Sequence, residues 1–164
     1  MAYFERSTVI EETERIIETL VANFPDFATS GGFLKKGGYL SVFSIPNAML
    51  GFISCVGSIV PPEKWQDYAR NSQEKGIRLL TTHQELGHLT SYESRDPDNN
   101  KWGGAVYADK YIFSFSGLPE LADEAIMLTL AVELDFLSLQ NASDIAKRNN
   151  NPIFDSLAEY MYGQ

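Results

Sequence analysis

The 164-residue chain is short of cysteine, of long apolar runs and of basic residues. Its one cysteine, Cys55, cannot form an internal disulfide bond, and we expect it to be a buried apolar residue in a reducing, cytoplasmic protein. No apolar run reaches the roughly 18 residues of a membrane-spanning helix. The 13 basic and 22 acidic residues give a formal net charge of −9, which excludes most nucleic-acid and anionic-membrane partners. We interpret Lys35-Lys36 as a solvated turn.

Histidine is also scarce, and its spacing argues against a metal site. His83 and His88 flank a glutamate in "HQELGH", which is similar to a zinc-protease signature. That signature needs histidines four residues apart on one helix, whereas five residues rotate the second side chain by about 140° at roughly 100° per residue. Gly87 also predicts the end of a helix. The chain has neither a nucleophile-elbow serine nor a Walker phosphate loop, so we predict no catalytic or metal-binding residues.

The loop "RDPDNNKWGG" begins like a calcium-binding loop. Asp96, Asp98 and Asn100 have the spacing of the first ligands, but Lys101 replaces the turn glycine and Tyr107 replaces the bidentate glutamate. We therefore interpret the segment as a polar turn.

Three stretches have the apolar periodicity of helices. The first runs from Thr8 to Phe24, with Thr8 and Glu11 spaced as a capping box. The second follows Pro61-Pro62 and extends to about His83, and the third begins after Pro119 and is apolar on nearly every side. Residues 144–162 predict one or two further short helices.

Five segments predict strands. "YLSVFSI" and "AMLGFISCVGSIV" are two runs separated by a Pro-Asn turn, and "HLTSYES", "GGAVYA" and "YIFSFS" follow the second helix. Only Asp109-Lys110 separates the last two, which indicates an antiparallel hairpin. We predict one α+β domain over residues 1–164, with a core at about 7–140 and a helical tail at 141–164. Its five-stranded antiparallel sheet is flanked by helices in the order α-β-β-α-β-β-β-α.

The segment "GGAVYADKYIFSFSGLPELADEA" resembles the C-terminal signature of the GlcG/HbpS-like domain. The match lies mainly within residues 103–131 and consists of Gly103-Gly104, the turn at Asp109, Ser116-Gly117 and Asp123-Glu124. Ala69 and Lys75 are similar to positions in that family's central helix. The resemblance implies a profilin-like sheet with helices on both sides, assembly into dimers or larger oligomers, and haem binding in some members.

Our candidate ligand-binding residues lie around this segment: His83, His88, Tyr107, Phe113, Ser116, Asp123 and Glu124. The aromatic residues are equally typical of a core, and the two acids of a helix N-terminus. We expect a non-enzymatic small-molecule-binding or regulatory module that forms a homo-oligomer, with a dimer as the first hypothesis. One alternative is haem binding with His83 or His88 as the axial ligand. Another is an acid–base enzyme that uses Asp123, Glu124 and one histidine.

Overall fold

Two antiparallel sheets and five α-helices form residues 5–163, the part of the chain that the computed structural model describes. The helices are α1 (Arg6–Asn23), α2 (Trp65–Leu86), α3 (Glu120–Glu133), α4 (Leu139–Arg148) and α5 (Pro152–Tyr162). The strands are β1 (Thr29–Ser30), β2 (Phe33–Leu34), β3 (Lys36–Ser44), β4 (Met49–Ser58), β5 (Ala105–Ala108) and β6 (Tyr111–Ser116). Within these residues, no helix has both the length and the apolar character needed to cross a membrane.

The main sheet has four strands in the order β4-β3-β6-β5, and each neighbouring pair is antiparallel. β1 and β2 form a separate two-stranded sheet. The predicted hairpins are confirmed: β3 pairs with β4, and β5 pairs with β6 across the two-residue turn Asp109-Lys110. Asp109 has a φ of 59°, a left-handed conformation that aspartate tolerates in such turns. The predicted α+β class is therefore confirmed.

The predicted fifth strand of this sheet, "HLTSYES", is not a strand. Residues Ser91–Ser94 form a 3-10 turn, and only Thr90 makes an isolated bridge, to Val106 in β5. The cause is local: the Thr90 side chain caps the turn, and Glu93 Oε1 accepts the N–H groups of Leu89 and Thr90 at 3.0 and 3.3 Å. Because this capping box satisfies the backbone, the segment gains little from pairing in a sheet.

The helices cover the main sheet on both faces. α2 lies on one face, where Ser72 Oγ is 2.8 Å from Ser41 Oγ of β3. α1 and α3 cover the other face, which contributes Leu40 and Val42 to the main core. The sequence placed the start of α1 at Thr8, but the helix begins at Arg6, so the predicted Thr8–Glu11 capping box does not form.

α3 is buried within the chain itself. Its residues Ala122 to Ala131 are all buried, and α1, α4 and α5 pack against it. The predicted tail thus forms two helices that contribute Phe154 and Leu157 to the main core. α3 therefore has little apolar surface left uncovered by the rest of the chain.

Candidate functional site

A cavity of about 630 Å³ lies at the end of the main sheet where β6 leads into α3. The N-terminal half of α2 forms one wall, and the β6–α3 loop forms another. Its charged lining consists of Lys35, Lys64, Asp67, Arg70, Lys75, Glu120 and Asp123. Charged side chains from separate parts of the chain converge here, which makes this concave surface the candidate site.

Lys75 and Asp123 form an ion pair in the inner wall of the cavity. Lys75 Nζ lies 3.1 Å from Asp123 Oδ2, both side chains are 2% exposed, and Lys75 also donates to the carbonyl oxygen of Phe115 at 2.8 Å. Asp123 Oδ1 accepts the N–H of Leu118 at 2.9 Å. Burial raises the pKa of Asp123 to about 7, although Lys75 and the backbone N–H groups of Leu118 and Gly117 lower it. The pair thereby fixes α3 and the β6–α3 loop against α2.

Gly104 allows the chain to pass close to this ion pair. A Cβ atom at this position would lie 2.7 Å from Lys75 Nζ, 2.7 Å from the Phe115 carbonyl oxygen and 2.9 Å from Asp123 Cβ. The φ of Gly104 is 125°, a conformation that other residues rarely adopt. A glycine is therefore required here by both backbone conformation and space.

Lys35 is a buried lysine of the cavity that forms no ion pair within residues 5–163. It is 8% exposed, and its ammonium group donates to the Val60 carbonyl oxygen at 2.9 Å and to Tyr68 Oη at 3.0 Å. No carboxylate among residues 5–163 forms an ion pair with it. An ammonium group has three donors, so one remains for a ligand. The prediction that Lys35 lies in a solvated turn is wrong, whereas Lys36 is exposed.

The acidic residues of the cavity already have cationic partners. Asp67 contacts Lys64 and Arg70 at 3.6 and 2.8 Å. Glu120 pairs with Arg95 at 2.6 Å. These carboxylates therefore do not compete strongly for Lys35 or dominate the charge that a ligand would meet.

Ser116, one of the predicted ligand-binding residues, lines the cavity near its inner wall. It is 4% exposed, and no hydrogen bond within residues 5–163 involves its hydroxyl group. A serine hydroxyl can donate one hydrogen bond and accept others. Ser116 therefore adds an available polar group to the site, beside the second predicted residue that lines it, Asp123.

Three other predicted residues lie together at the C-terminal end of α2. The rings of His83 and Tyr107 stack with centroids 3.9 Å apart, and His83 Nδ1 lies 2.7 Å from the carbonyl oxygen of His88. A carbonyl can only accept, so this nitrogen donates and Nε2 is the unprotonated atom in the neutral ring. Gly87, with a φ of 71°, ends α2 as predicted and brings His88 back towards His83.

The last two predicted residues are buried away from these groups. Phe113 is fully buried in the main core. Glu124 is also fully buried, and its two carboxylate oxygens accept from Asn149 Nδ2 at 2.6 Å and Asn151 Nδ2 at 2.7 Å. Burial raises the pKa of Glu124 to about 7, while hydrogen bonds from the two asparagines and Thr90 lower it. Glu124 therefore anchors the α4–α5 connection to α3.

The haem and acid–base hypotheses both place a histidine in the site. Neither His83 nor His88 lines the cavity between α2 and the β6–α3 loop, and no hydrogen bond among residues 5–163 joins either one to Asp123 or Glu124. Within the same residues, no three His, Cys, Asp or Glu side chains are grouped to hold a metal ion. Neither histidine therefore lies in the candidate site.

Lys35, Tyr68 and Lys75 were not predicted as site residues. For Lys75 a signal was present: with Tyr68, Ser72 and Leu79 it falls on the helical stripe of α2 that faces the sheet, where a lysine needs a buried partner. Lys35 had no comparable signal, because its glycine-rich surroundings are typical of an exposed turn.

Comparisons of the chain with protein-family models, curated proteins and solved structures found no match. The resemblance to the GlcG/HbpS-like domain therefore stays a prediction.

Proposed function

We propose that this protein is a non-enzymatic binding module for a small anionic molecule, and that the cavity between α2 and the β6–α3 loop is its ligand site. The observation that carries the proposal is Lys35, a buried cation beside a cavity without a carboxylate partner in residues 5–163. Burial of an unpaired charge is costly, and an anionic ligand would remove that cost. The bound anion would then neutralise the charge of Lys35.

The neighbouring groups support a ligand with a carboxylate or phosphate group. Lys35 offers its remaining ammonium hydrogen and Ser116 offers its hydroxyl group, so two donors of different kinds are available to an anion. Tyr68 holds Lys35 in place through its hydroxyl oxygen at 3.0 Å. The ion pair between Lys75 and Asp123 is fully engaged, which favours a positioning role over a chemical one.

Several residues that carry the GlcG/HbpS-like resemblance lie at this cavity, which supports the same location for the ligand site. Ser116, Gly117 and Asp123 line the cavity, and Gly104 lies against the Lys75–Asp123 pair. This proposal also includes membership of that family, a profilin-like fold, a regulatory role and a cytoplasmic location.

The test compares two adjacent lysines. Inorganic phosphate and citrate serve as anionic probes, glycerol is the uncharged control, and isothermal titration calorimetry measures binding to the purified protein. Loss of a hydrogen bond to a charged group costs about 1.5–3 kcal/mol, so we expect Lys35→Met to weaken anion binding about 10- to 100-fold. Lys36→Met removes the same charge from an exposed position and should bind like the wild type.

Ser116→Ala tests the second donor and should weaken binding less, because a neutral hydrogen bond contributes about 1 kcal/mol. Equal effects of Lys35→Met and Lys36→Met would overturn the proposal. So would wild-type protein that binds neither anion better than glycerol.

A further inference from the structure

The strand β4 forms one edge of the main sheet and is open to solvent. It spans ten residues, of which Met49 and Leu50 are 58% and 37% exposed. The opposite edge, β5, is short and is covered by the Leu89–Thr90 segment, because Tyr107 N–H donates to the Leu89 carbonyl oxygen at 2.9 Å. The two edges therefore differ in whether they can accept another strand.

One face of β4 is also uncovered. Ile53 and Leu50 lie opposite Ser41 and Phe43 of β3, and opposed residues in antiparallel strands point to the same face. Ser41 contacts Ser72 of α2, so this is the α2 face of the sheet. α2 packs mainly over β3, β6 and β5, which leaves the β4 side chains on that face exposed or half-buried.

Cys55 belongs to this uncovered face, since it lies opposite Tyr39 in β3, two residues before Ser41. It is exposed, so the prediction that Cys55 is buried is wrong. The apolar run around it suggested burial, but no helix within residues 5–163 packs over this face of β4, so the side chain is in solvent.

The open backbone groups of β4 can be assigned to specific residues. The carbonyl oxygens of Ile53 and Cys55 accept from side chains, Arg6 Nη2 at 3.4 Å and Ser54 Oγ at 3.2 Å. In an antiparallel ladder the N–H and C=O of one residue point to the same side. Both residues therefore direct their backbone groups away from β3. The contact from Arg6 is long and exposed, so the N–H of an added strand could replace it.

The charge distribution favours a second copy of this chain at β4. Residues 45–62 contain no charged side chain, although the chain has a net charge of −9. Two copies can therefore meet at this strand with less repulsion than at the acidic remainder of the surface. The same strand in two copies can pair antiparallel about a twofold axis, which is the symmetry of most homodimers.

We propose that two copies of this protein dimerise by antiparallel pairing of their β4 strands, which joins the two main sheets into one eight-stranded sheet. The dimer lies apart from the cavity of the ligand site and does not depend on the proposed ligand. Leu50, Ile53 and Cys55 of both copies form its apolar centre on the α2 face.

Analytical ultracentrifugation of the full chain over a range of micromolar concentrations tests this interface. We expect the wild type to be a dimer. Cys55→Lys places two lysines near the twofold axis and should weaken association about 100-fold or more, since like charges at an interface cost several kcal/mol. Ile53→Pro removes an N–H that points away from β3, so it should block dimerisation and leave the β3–β4 hydrogen bonds intact.

Leu139→Lys is the matched control, because Leu139 is an exposed leucine on α4, outside the sheet. It should dimerise like the wild type, and circular dichroism should show that each variant is folded. Amide hydrogen exchange at Ile53 and Cys55 should slow as the concentration rises. A wild type that stays monomeric throughout would overturn the proposal, as would folded Cys55→Lys and Ile53→Pro proteins that associate like the wild type.

Discussion

Lys75 Nζ lies 3.1 Å from Asp123 Oδ2 in an ion pair whose side chains are both 2% exposed. Removal of one member of a buried pair leaves the other charge without compensation, which costs about 3–5 kcal/mol. We therefore expect Lys75→Met to lower the free energy of unfolding by about that amount at pH 8. The double variant Lys75→Met/Asp123→Asn should recover part of the loss, because it removes the remaining charge and keeps an oxygen that can accept the Leu118 N–H. Urea unfolding measures both values.

A double variant no more stable than Lys75→Met would contradict this account of the pair. It would mean that Lys75 contributes mainly through its hydrogen bond to the Phe115 carbonyl oxygen, at 2.8 Å.

The buried carboxyl group of Glu124 should make stability depend on pH. Its pKa is raised from 4.5 to about 7 in the folded protein, so the folded state holds this proton more tightly than the unfolded state. The resulting stabilisation is complete below about pH 4.5 and is lost as the pH rises through 7. One group with this shift changes the unfolding free energy by about 3 kcal/mol. Glu124→Gln should remove this part of the pH dependence, as measured by urea unfolding at several pH values between 4.5 and 8.

Glu159→Gln is a suitable control because Glu159 is exposed on α5, and it should follow the wild-type curve. A parallel pH dependence in wild type and Glu124→Gln would show that Glu124 is ionised in the folded protein throughout this range.

Gly104 should be more sensitive to substitution than Gly32, another glycine with positive φ. Gly104→Ala places a Cβ atom 2.7 Å from Lys75 Nζ and adds strain at a φ of 125°. Gly32→Ala has a φ of 81° but meets no atom within 4 Å, so it measures the strain without the contact. Each strained backbone conformation costs about 1–3 kcal/mol, and the contact should add to it only at Gly104. Thermal unfolding of the two variants gives the comparison, and equal losses would refute the steric argument.

The secondary structure that short-range patterns control was predictable from the sequence. The two-residue turn at Asp109-Lys110 identified the β5–β6 hairpin, and Gly87 marked the end of α2. The segment after Gly87 was predicted as a strand because its β-branched and aromatic residues favour sheets. Thr90 and Glu93 satisfy the backbone locally instead, and that competition between capping and pairing is decided by side-chain hydrogen bonds.

The candidate site was only partly predictable, because burial of a lysine is decided by groups distant in the sequence. Lys75 is held by Phe115 and Asp123, which are 40 and 48 residues away. Lys35 is held by Val60 and Tyr68, and nothing near it in the sequence indicates those partners. Ser116 and Asp123 were found through a family resemblance, whereas the histidines were chosen for their chemistry alone.

Haemin provides a direct test of the role of those histidines. In His83 the Nδ1 atom donates to the His88 carbonyl oxygen at 2.7 Å, so in a neutral ring Nε2 is the free nitrogen, as in many metal-binding histidines. However, one face of the ring is covered by Tyr107, and neither histidine lines the candidate site. We therefore expect that a titration with haemin, followed by absorbance, gives no Soret shift that depends on His83 or His88. A shift that is present in the wild type and lost in folded His83→Ala or His88→Ala protein would restore haem binding as the better explanation.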